Sequence, residues 1–193
     1  ELVDILHIAH VNVLNFKESE FDNLLGNGSG AASLLDASGG LMESVLRTAE
    51  WMMTGKNPKT LEIKQLRGDK SLKVYEANIS GNKVKIAAVQ GMADAIKFFD
   101  KLKKDKNLRQ IKYVEVMTCP GGCVCGGGTP MLQDKKNITD RMNEIYNEEK
   151  KAKVRLSHEN PDVQAIYQNL LGEPNSRKAH ELIHTHFNHR PGF

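Results

Sequence analysis

The chain has 193 residues, and it lacks the marks of several large classes of protein. No apolar run approaches the ~20 residues that a transmembrane helix needs, which excludes such a helix. Neither sign of charge dominates: 27 basic and 24 acidic residues are interspersed and leave a formal net charge of +3. The densest basic cluster, Lys101 to Lys106, has no interleaved aromatic residues for base stacking. It reads as the solvated end of a helix, and nucleic acid is set aside as a partner. There is no internal repeat, low-complexity tract or long linker. Glu1 and Leu2 are preceded by no initiator Met, basic n-region or signal h-region, so the start reads as an internal cut point. Cysteine is scarce, at three residues. Cys119, Cys123 and Cys125 all fall within one short stretch, which is poor spacing for a disulfide scaffold and points to metal or redox chemistry in a reducing compartment. What is present is ordinary: 39% hydrophobic and 26% charged residues suit one soluble domain or one large lobe.

Hydrophobic periodicity divides the chain. Leu2, Ile5, Leu6 and Ala9 have helical spacing, and Val11 to Phe16 alternates as a short strand would. A glycine-rich region follows, with Gly26, Gly28 and Gly30 and then Gly39 and Gly40. Met42, Val45, Leu46, Ala49 and Met53 mark a helix over 41–54. Residues 60–66, 72–79 and 83–89 read as strands, the last two joined by a hairpin turn at Ser80-Gly81-Asn82. Met92, Ala95, Ile96, Phe99 and Leu102 mark a helix over 91–104, and 111–117 a further strand. Strand, helix and strand make a βαβ unit with parallel strands, and Cys119 sits just past a strand's carboxyl end, where open α/β sheets tend to hold ligands. Three more helices are expected at 138–152, 161–171 and 176–186. The fold class is α/β: a small twisted mixed sheet with a βαβ unit, flanked by helices.

The chemistry is concentrated in Glu115-Val116-Met117-Thr118-Cys119-Pro120-Gly121-Gly122-Cys123-Val124-Cys125-Gly126-Gly127-Gly128-Thr129-Pro130. Thiolates are the usual ligands of iron-sulfur clusters. Glycines let backbone approach a bulky inorganic group and present N–H groups to it. The bland alternative is a set of buried thiols beside an ordinary turn. Even with Cys125 the chain is one thiolate short of a four-cysteine site, so a cluster here needs ligands from elsewhere. A radical S-adenosylmethionine motif would need two residues between its last two cysteines, and only Val124 separates Cys123 from Cys125.

Residues 113–130 resemble the third signature of FeFe hydrogenases, in which a strand ending Glu-Val-Met-x-Cys-Pro-Gly-Gly-Cys runs into x-x-Gly-Gly-Gly-x-Pro. The likeness covers nearly the whole chain, in the family's order: Ser29-Gly30-Ala31-Ala32, Gly39-Gly40-Leu41-Met42-Glu43-Ser44-Val45-Leu46-Arg47-Thr48-Ala49, Arg67-Gly68, Ser157-His158-Glu159-Asn160-Pro161 and Ala179-His180-Glu181-Leu182-Ile183-His184-Thr185-His186. The resemblance implies the C-terminal half of the catalytic domain, one lobe of two, with a sheet lobe over about 1–130 and a helical part over about 131–193. It implies an H-cluster, a 4Fe-4S cubane joined to a di-iron unit carrying CO, cyanide and azadithiolate. Cys119 and Cys123 would be metal ligands, with Cys123 bridging to the di-iron unit and Met117 packing against it. Gly121, Gly122, Gly126, Gly127 and Gly128 would line the cavity, with Gly39 and Gly40 in the nearby wall.

The implied reaction is reversible oxidation of H2 to protons and electrons. The implied partners are H2 and protons, the N-terminal half or a subunit carrying the remaining ligands, and an iron-sulfur electron-transfer domain or ferredoxin. The implied location is cytoplasmic, or periplasmic if co-exported with a partner. The family's two earlier signatures are absent, so the chain alone is not expected to hold a complete H-cluster. Cys125, Thr129 and Leu35-Asp36-Ala37 depart from the family's usual residues and leave open a divergent enzyme of low activity or a sensory hydrogenase; a rival reading is a hydrogenase-like iron-sulfur protein of cytosolic cluster assembly, which shares the cysteine-glycine strand end. His180-Glu181-Leu182-Ile183-His184 also fits the zincin pattern, although the chain ends before either common third-ligand spacing. His186 and His189 are candidates for adventitious metal only. Trp51 and the methionines at 42, 52 and 53 read as helix packing, and Glu43 as an acid favouring the positive end of its helix.

Overall fold

The computed structural model describes residues 1–20, 27–129, 135–186 and 188. Gly26, Pro130, His189 and the expected division at about 130/131 lie outside the described residues. Seven α-helices are described: α1 (Leu2–Ile8), α2 (Gly30–Ser33), α3 (Gly40–Thr54), α4 (Met92–Lys104), α5 (Lys135–Lys151), α6 (Pro161–Ile166) and α7 (Arg177–Ile183). Three strands, β1 (Leu72–Ile79), β2 (Asn82–Gln90) and β3 (Ile111–Met117), form one mixed sheet in the order β1-β2-β3. The α/β class and the βαβ unit expected from the sequence are both present.

β1 and β2 pair antiparallel with Ile79 opposite Asn82, which leaves Ser80 and Gly81 as a two-residue turn. Both have positive φ, 52° and 85°, as the turn that matches strand twist requires. β3 runs parallel to β2, which is possible because α4 returns the chain to the starting end of the sheet. Alternation along β2 sends Val84 and Ile86 to one face and Ala87 and Val89 to the other. The first face packs under α3 through Met42, Leu46, Leu66, Ala77 and Ile79. The second packs under α4 through Ala95 and Phe98. A third cluster, Ala37, Cys125, Ile138 and Met142, joins the cysteine loop to α5.

Two expected strands are corrected. Val11 to Phe16 instead holds a 3-10 turn at Val13–Asn15, because the Asn12 side chain accepts from the Leu14 N–H and closes a local turn. Residues 60–66 hold a 3-10 turn at Lys64–Leu66, with Leu66 fully buried. Nearby, the Leu61 carbonyl accepts from Arg47 Nε at 2.8 Å. The helix expected over 161–171 changes to a π-helical turn at Tyr167–Leu171, closed by Gly172 N–H donating to the Tyr167 carbonyl. The last expected helix stops at Ile183, with His184 in extended conformation.

Candidate functional site

The cysteine loop begins where β3 ends. The Met117 carbonyl accepts from Gly91 N–H, so the strand end is tied to the start of α4. Met117 is half-buried, next to Gln90 in register. Beyond it the chain turns back on itself. Gly122 N–H donates to the Cys119 carbonyl at 3.1 Å, and a 3-10 turn at Cys123–Cys125 follows. All three thiols are free: Cys119 is half-buried, Cys123 exposed and Cys125 buried.

The glycines of this region divide into two kinds. Gly121 and Gly122 have φ of 80° and 98°, and a Cβ on either would collide with the fold. On Gly122 it would stand 2.7 Å from the Asp36 carbonyl oxygen and 2.8 Å from the Ser38 nitrogen, because Gly122 forms an antiparallel bridge with Ala37. On Gly121 it would stand 2.5 Å from Ile138 Cγ2 of α5. Gly39 and Gly40 are of the same kind, lying against the Leu66 and Leu34 carbonyls at 2.0 and 1.7 Å from where a Cβ would be. Close packing accounts for all four, against backbone at Gly39, Gly40 and Gly122 and against the Ile138 side chain at Gly121. Gly127 and Gly128 have nothing within 4 Å, with Gly128 at φ 85°, and a Cβ on Gly126 would lie 3.3 Å from the Cys123 carbonyl oxygen and 3.9 Å from Cys119 Sγ.

These last three glycines, with Cys119, Cys125 and Thr129, line a cavity of about 790 Å³ that also touches the first residues of the chain. Cys123 lines a different recess, of about 500 Å³, with Asp36, Asp140, Arg141 and Glu144. The two ligand candidates therefore share a loop without sharing a cavity. Among the described residues no three His, Cys, Asp or Glu side chains come together to hold a metal ion. The zincin pattern finds no support in geometry: His184 lies past the end of α7, and its ring packs against that of His180 at 4.3 Å between centroids.

Polar side chains from the sheet hold the loop. Gln90, at the end of β2, accepts from Gly121 N–H at 2.7 Å and donates to the Asp69 and Lys70 carbonyls. Glu115, on β3, accepts from Gly39 N–H and, at 2.8 Å, from Met42 N–H. It thus caps α3, whose N-cap residue Gly39 has no side chain to do so. Lys73, on β1, donates from Nζ to the Ser38 carbonyl at 2.6 Å, and burial pushes its amine down to about 8 against the opposing pull of Glu115 and Asp69. Sequence reasoning missed Lys73 and Gln90. For Lys73 a signal existed: it falls in step with Tyr75, Ala77 and Ile79, which alternation sends to the buried face.

A second buried network lies behind α3. Glu43 accepts from Arg47 at 2.6 Å and from Arg67 at 2.7 Å, and Glu149 of α5 pairs with Arg47, Arg67 and Arg155. Burial alone would raise the Glu149 carboxyl, and the guanidiniums of Arg155, Arg47 and Arg67 outweigh it, holding it below the ordinary range. Glu43 thus faces two guanidiniums rather than serving the helix dipole alone. The network fastens α5 and residue 67 to α3, whose start lies beside the cysteine loop. Trp51, read as packing, stacks on the His158 ring at 4.4 Å.

With this geometry in view, the chain can be set beside known proteins. The family described as "Iron only hydrogenase large subunit, C-terminal domain" matches residues 1–127, and "Iron hydrogenase small subunit" matches residues 135–190. Iron hydrogenase 1 of Clostridium pasteurianum is 34% identical over 95% of this chain, which spans 33% of that protein. A cytosolic Fe-S cluster assembly factor, narfl of Danio rerio, is 26% identical over 97% of this chain and 46% of its own length. Among solved structures, a variant of the FeFe-hydrogenase HydA1 from Chlamydomonas reinhardtii superposes with a TM-score of 0.74 at 32% identity, covering 97% of this chain and 53% of that one. The chain therefore spans about a third to a half of the length of the proteins it matches.

Proposed function

Because the chain belongs to the iron-only hydrogenase large-subunit family, matching its C-terminal domain, we propose that it is part of an FeFe hydrogenase and supplies two cysteine ligands of its H-cluster. The observation that carries the reading is the loop at the carboxyl end of β3. Three free thiols stand there on a glycine turn: Cys119 and Cys125 line a cavity of about 790 Å³ onto which Gly127 and Gly128 also face, and Cys123 lines the recess of about 500 Å³. The donor set fits a cluster in kind and not in number. Cys119 and Cys123 would supply two thiolate ligands, and a cubane needs further ligands from the remainder of the catalytic domain or from a partner subunit.

When bound, the cofactor supplies the redox chemistry that interconverts H2 with two protons and two electrons. The residues of this chain bind and orient it. Cys119 and Cys123 would hold iron as thiolates, Gly126 to Gly128 would leave it room, with the Gly126 N–H already given to the Cys123 carbonyl, and Met117 would pack beside it. Gly39 and Gly40 contribute by letting the 36–42 segment lie close against the Leu66 and Leu34 carbonyls, and Gly122 by letting the cysteine loop lie against that segment. Electrons leave through an iron-sulfur domain or ferredoxin that this chain does not contain, and the location is cytoplasmic, or periplasmic with an exported partner. No helix among the described residues is long and apolar enough to cross a membrane. Residues 1–130 act as the sheet lobe and 131–193 as a helical extension.

The likeness to the cluster assembly factor supports a second reading, a hydrogenase-like iron-sulfur protein without H2 chemistry. Infrared spectroscopy of the anaerobically purified, matured protein that carries this chain separates the two. CO and cyanide stretches that vanish in Cys123→Ala are the expected result. Iron and sulfide without those bands, even after the di-iron cofactor is supplied, would sink the hydrogenase reading and favour the other.

A further inference from the structure

We infer that Lys73, Gln90 and Glu115, one from each strand of the sheet, are positioning residues that hold the cysteine loop in its ligand-bearing shape before any iron arrives. The inference deepens the hydrogenase reading, on which its iron readout rests. The three side chains occupy one face of the sheet. Lys73 pairs with Ala88 and Ala88 with Glu115, so the lysine and the glutamate flank a fully buried alanine in a single row. Gln90 follows two residues along β2 on the same face. All three are at most 5% exposed. Burying an ammonium, a carboxylate and a carboxamide on a face that is otherwise apolar is unfavourable unless their polar atoms are engaged.

They are engaged with backbone, and with the backbone of two segments only as far as the site is concerned. Lys73 holds the Ser38 carbonyl, Glu115 the Gly39 and Met42 amides, and Gln90 the Gly121 amide. Those two segments are joined to each other: Ser38 N–H donates to the Gly121 carbonyl at 2.9 Å, and Ala37 bridges Gly122. The result is a closed frame of sheet, 36–42 segment and cysteine loop. Apolar residues of similar size would fill the same space; only groups that accept or donate can set the rotation of the Gly121 peptide and the start of α3. A cluster-binding loop made of glycine has little conformational preference of its own, so its shape must be imposed by a supporting layer of side chains.

The test is hydrogen exchange at single-amide resolution on the complete protein that carries this chain, prepared without iron, in the wild type, Gln90→Leu and Glu115→Gln. The expected result is that Gly39, Met42 and Gly121 amides are already protected in the iron-free wild type. Gln90→Leu should speed exchange at Gly121 by about tenfold while amides within β1 and β2 keep theirs. Glu115→Gln should do the same at Gly39 or Met42 and carries the test if Gln90→Leu does not fold. Reconstitution with ferrous iron and sulfide should then load Gln90→Leu less than wild type. A Gly121 amide that exchanges in the iron-free wild type as fast as that of exposed Gly127, or exchange unaltered in Gln90→Leu, overturns the inference. So does full iron loading of Gln90→Leu under conditions where Cys123→Ala loses iron. If the wild type itself binds no iron, the reading of the loop as a cluster site fails, and the exchange measurements alone decide the positioning.

Discussion

Replacing Gly122 with alanine, beside the same change at Gly127, separates the glycines that the fold requires from those left for a ligand. At Gly122 the backbone has φ 98° and ψ −150°, a combination that residues with a Cβ avoid, and forcing one there costs about 1–3 kcal/mol. The new Cβ would also lie 2.7 Å from the Asp36 oxygen and 2.8 Å from the Ser38 nitrogen. Both are backbone atoms of a segment fastened by Lys73 and Glu115, so neither gives way easily, and overpacking of this kind adds roughly 1–3 kcal/mol. Gly122→Ala is therefore expected to lose about 2–6 kcal/mol, a large share of the ~5–15 kcal/mol by which a domain is usually stable. Gly127 has no positive φ and nothing within 4 Å, so its alanine variant should stay within about 0.5 kcal/mol of the wild type. Urea denaturation of the iron-free protein reads both. Iron content after reconstitution then adds the functional half, since Gly127→Ala should fold normally and hold less cluster. Equal stability losses in the two variants, or a Gly122→Ala protein within about 1 kcal/mol of the wild type, would refute the division.

Two further outcomes follow from the buried charges. The Lys73 amine is pushed down to about 8 from 10.5, so below pH 8 it is charged in both states and its burial penalty is fully present. Between pH 8 and 10.5 the folded protein has released a proton that the unfolded chain still holds, and stability rises through that window by about 3 kcal/mol. In Lys73→Met, which faces Glu115 and Asp69 without titrating, this rise should disappear from denaturation midpoints measured across the window. Parallel curves for the two proteins would contradict it. Glu149→Ala leaves Arg47, whose side chain is 1% exposed, and Arg67 with one carboxylate between them, and should cost about 3–5 kcal/mol. Glu148→Ala removes only an exposed pair with Lys151 and should change stability by less than about 1 kcal/mol. Because the Glu149 carboxyl is held below the ordinary range, its contribution is complete above that range and is lost as pH falls through its folded value. Equal losses in the two variants, read by urea denaturation at neutral pH, would show that the buried network does not hold α5 in place.

Much of this molecule was legible before any coordinate. Alternation and the Ser80-Gly81 turn marked the hairpin, the 3.6-residue period marked α3 and α4, and the thiol and glycine run marked the loop. All are local patterns, carried by a few consecutive residues. The misread strands at Val11 to Phe16 and at 60–66 failed for the same reason. Their apolar spacing was compatible with a strand, and nothing local announced that Asn12 would close a turn or that Arg47 would take the Leu61 carbonyl.

The sequence by itself thus determined the family, the α/β class and the position of the cysteines at a strand's end, because these depend on residue type and spacing along the chain. Tertiary structure alone decided that a side chain at Gly39, Gly40, Gly121 or Gly122 would collide with the fold while Gly127 and Gly128 have open space around them, and that Cys119 and Cys123 open on different recesses. It alone brought Lys73, Gln90 and Glu115 onto one face beneath the loop. Those facts depend on which distant segments meet, 31 residues apart for Gln90 and Gly121 and 76 for Glu115 and Gly39, and no local pattern records such a meeting.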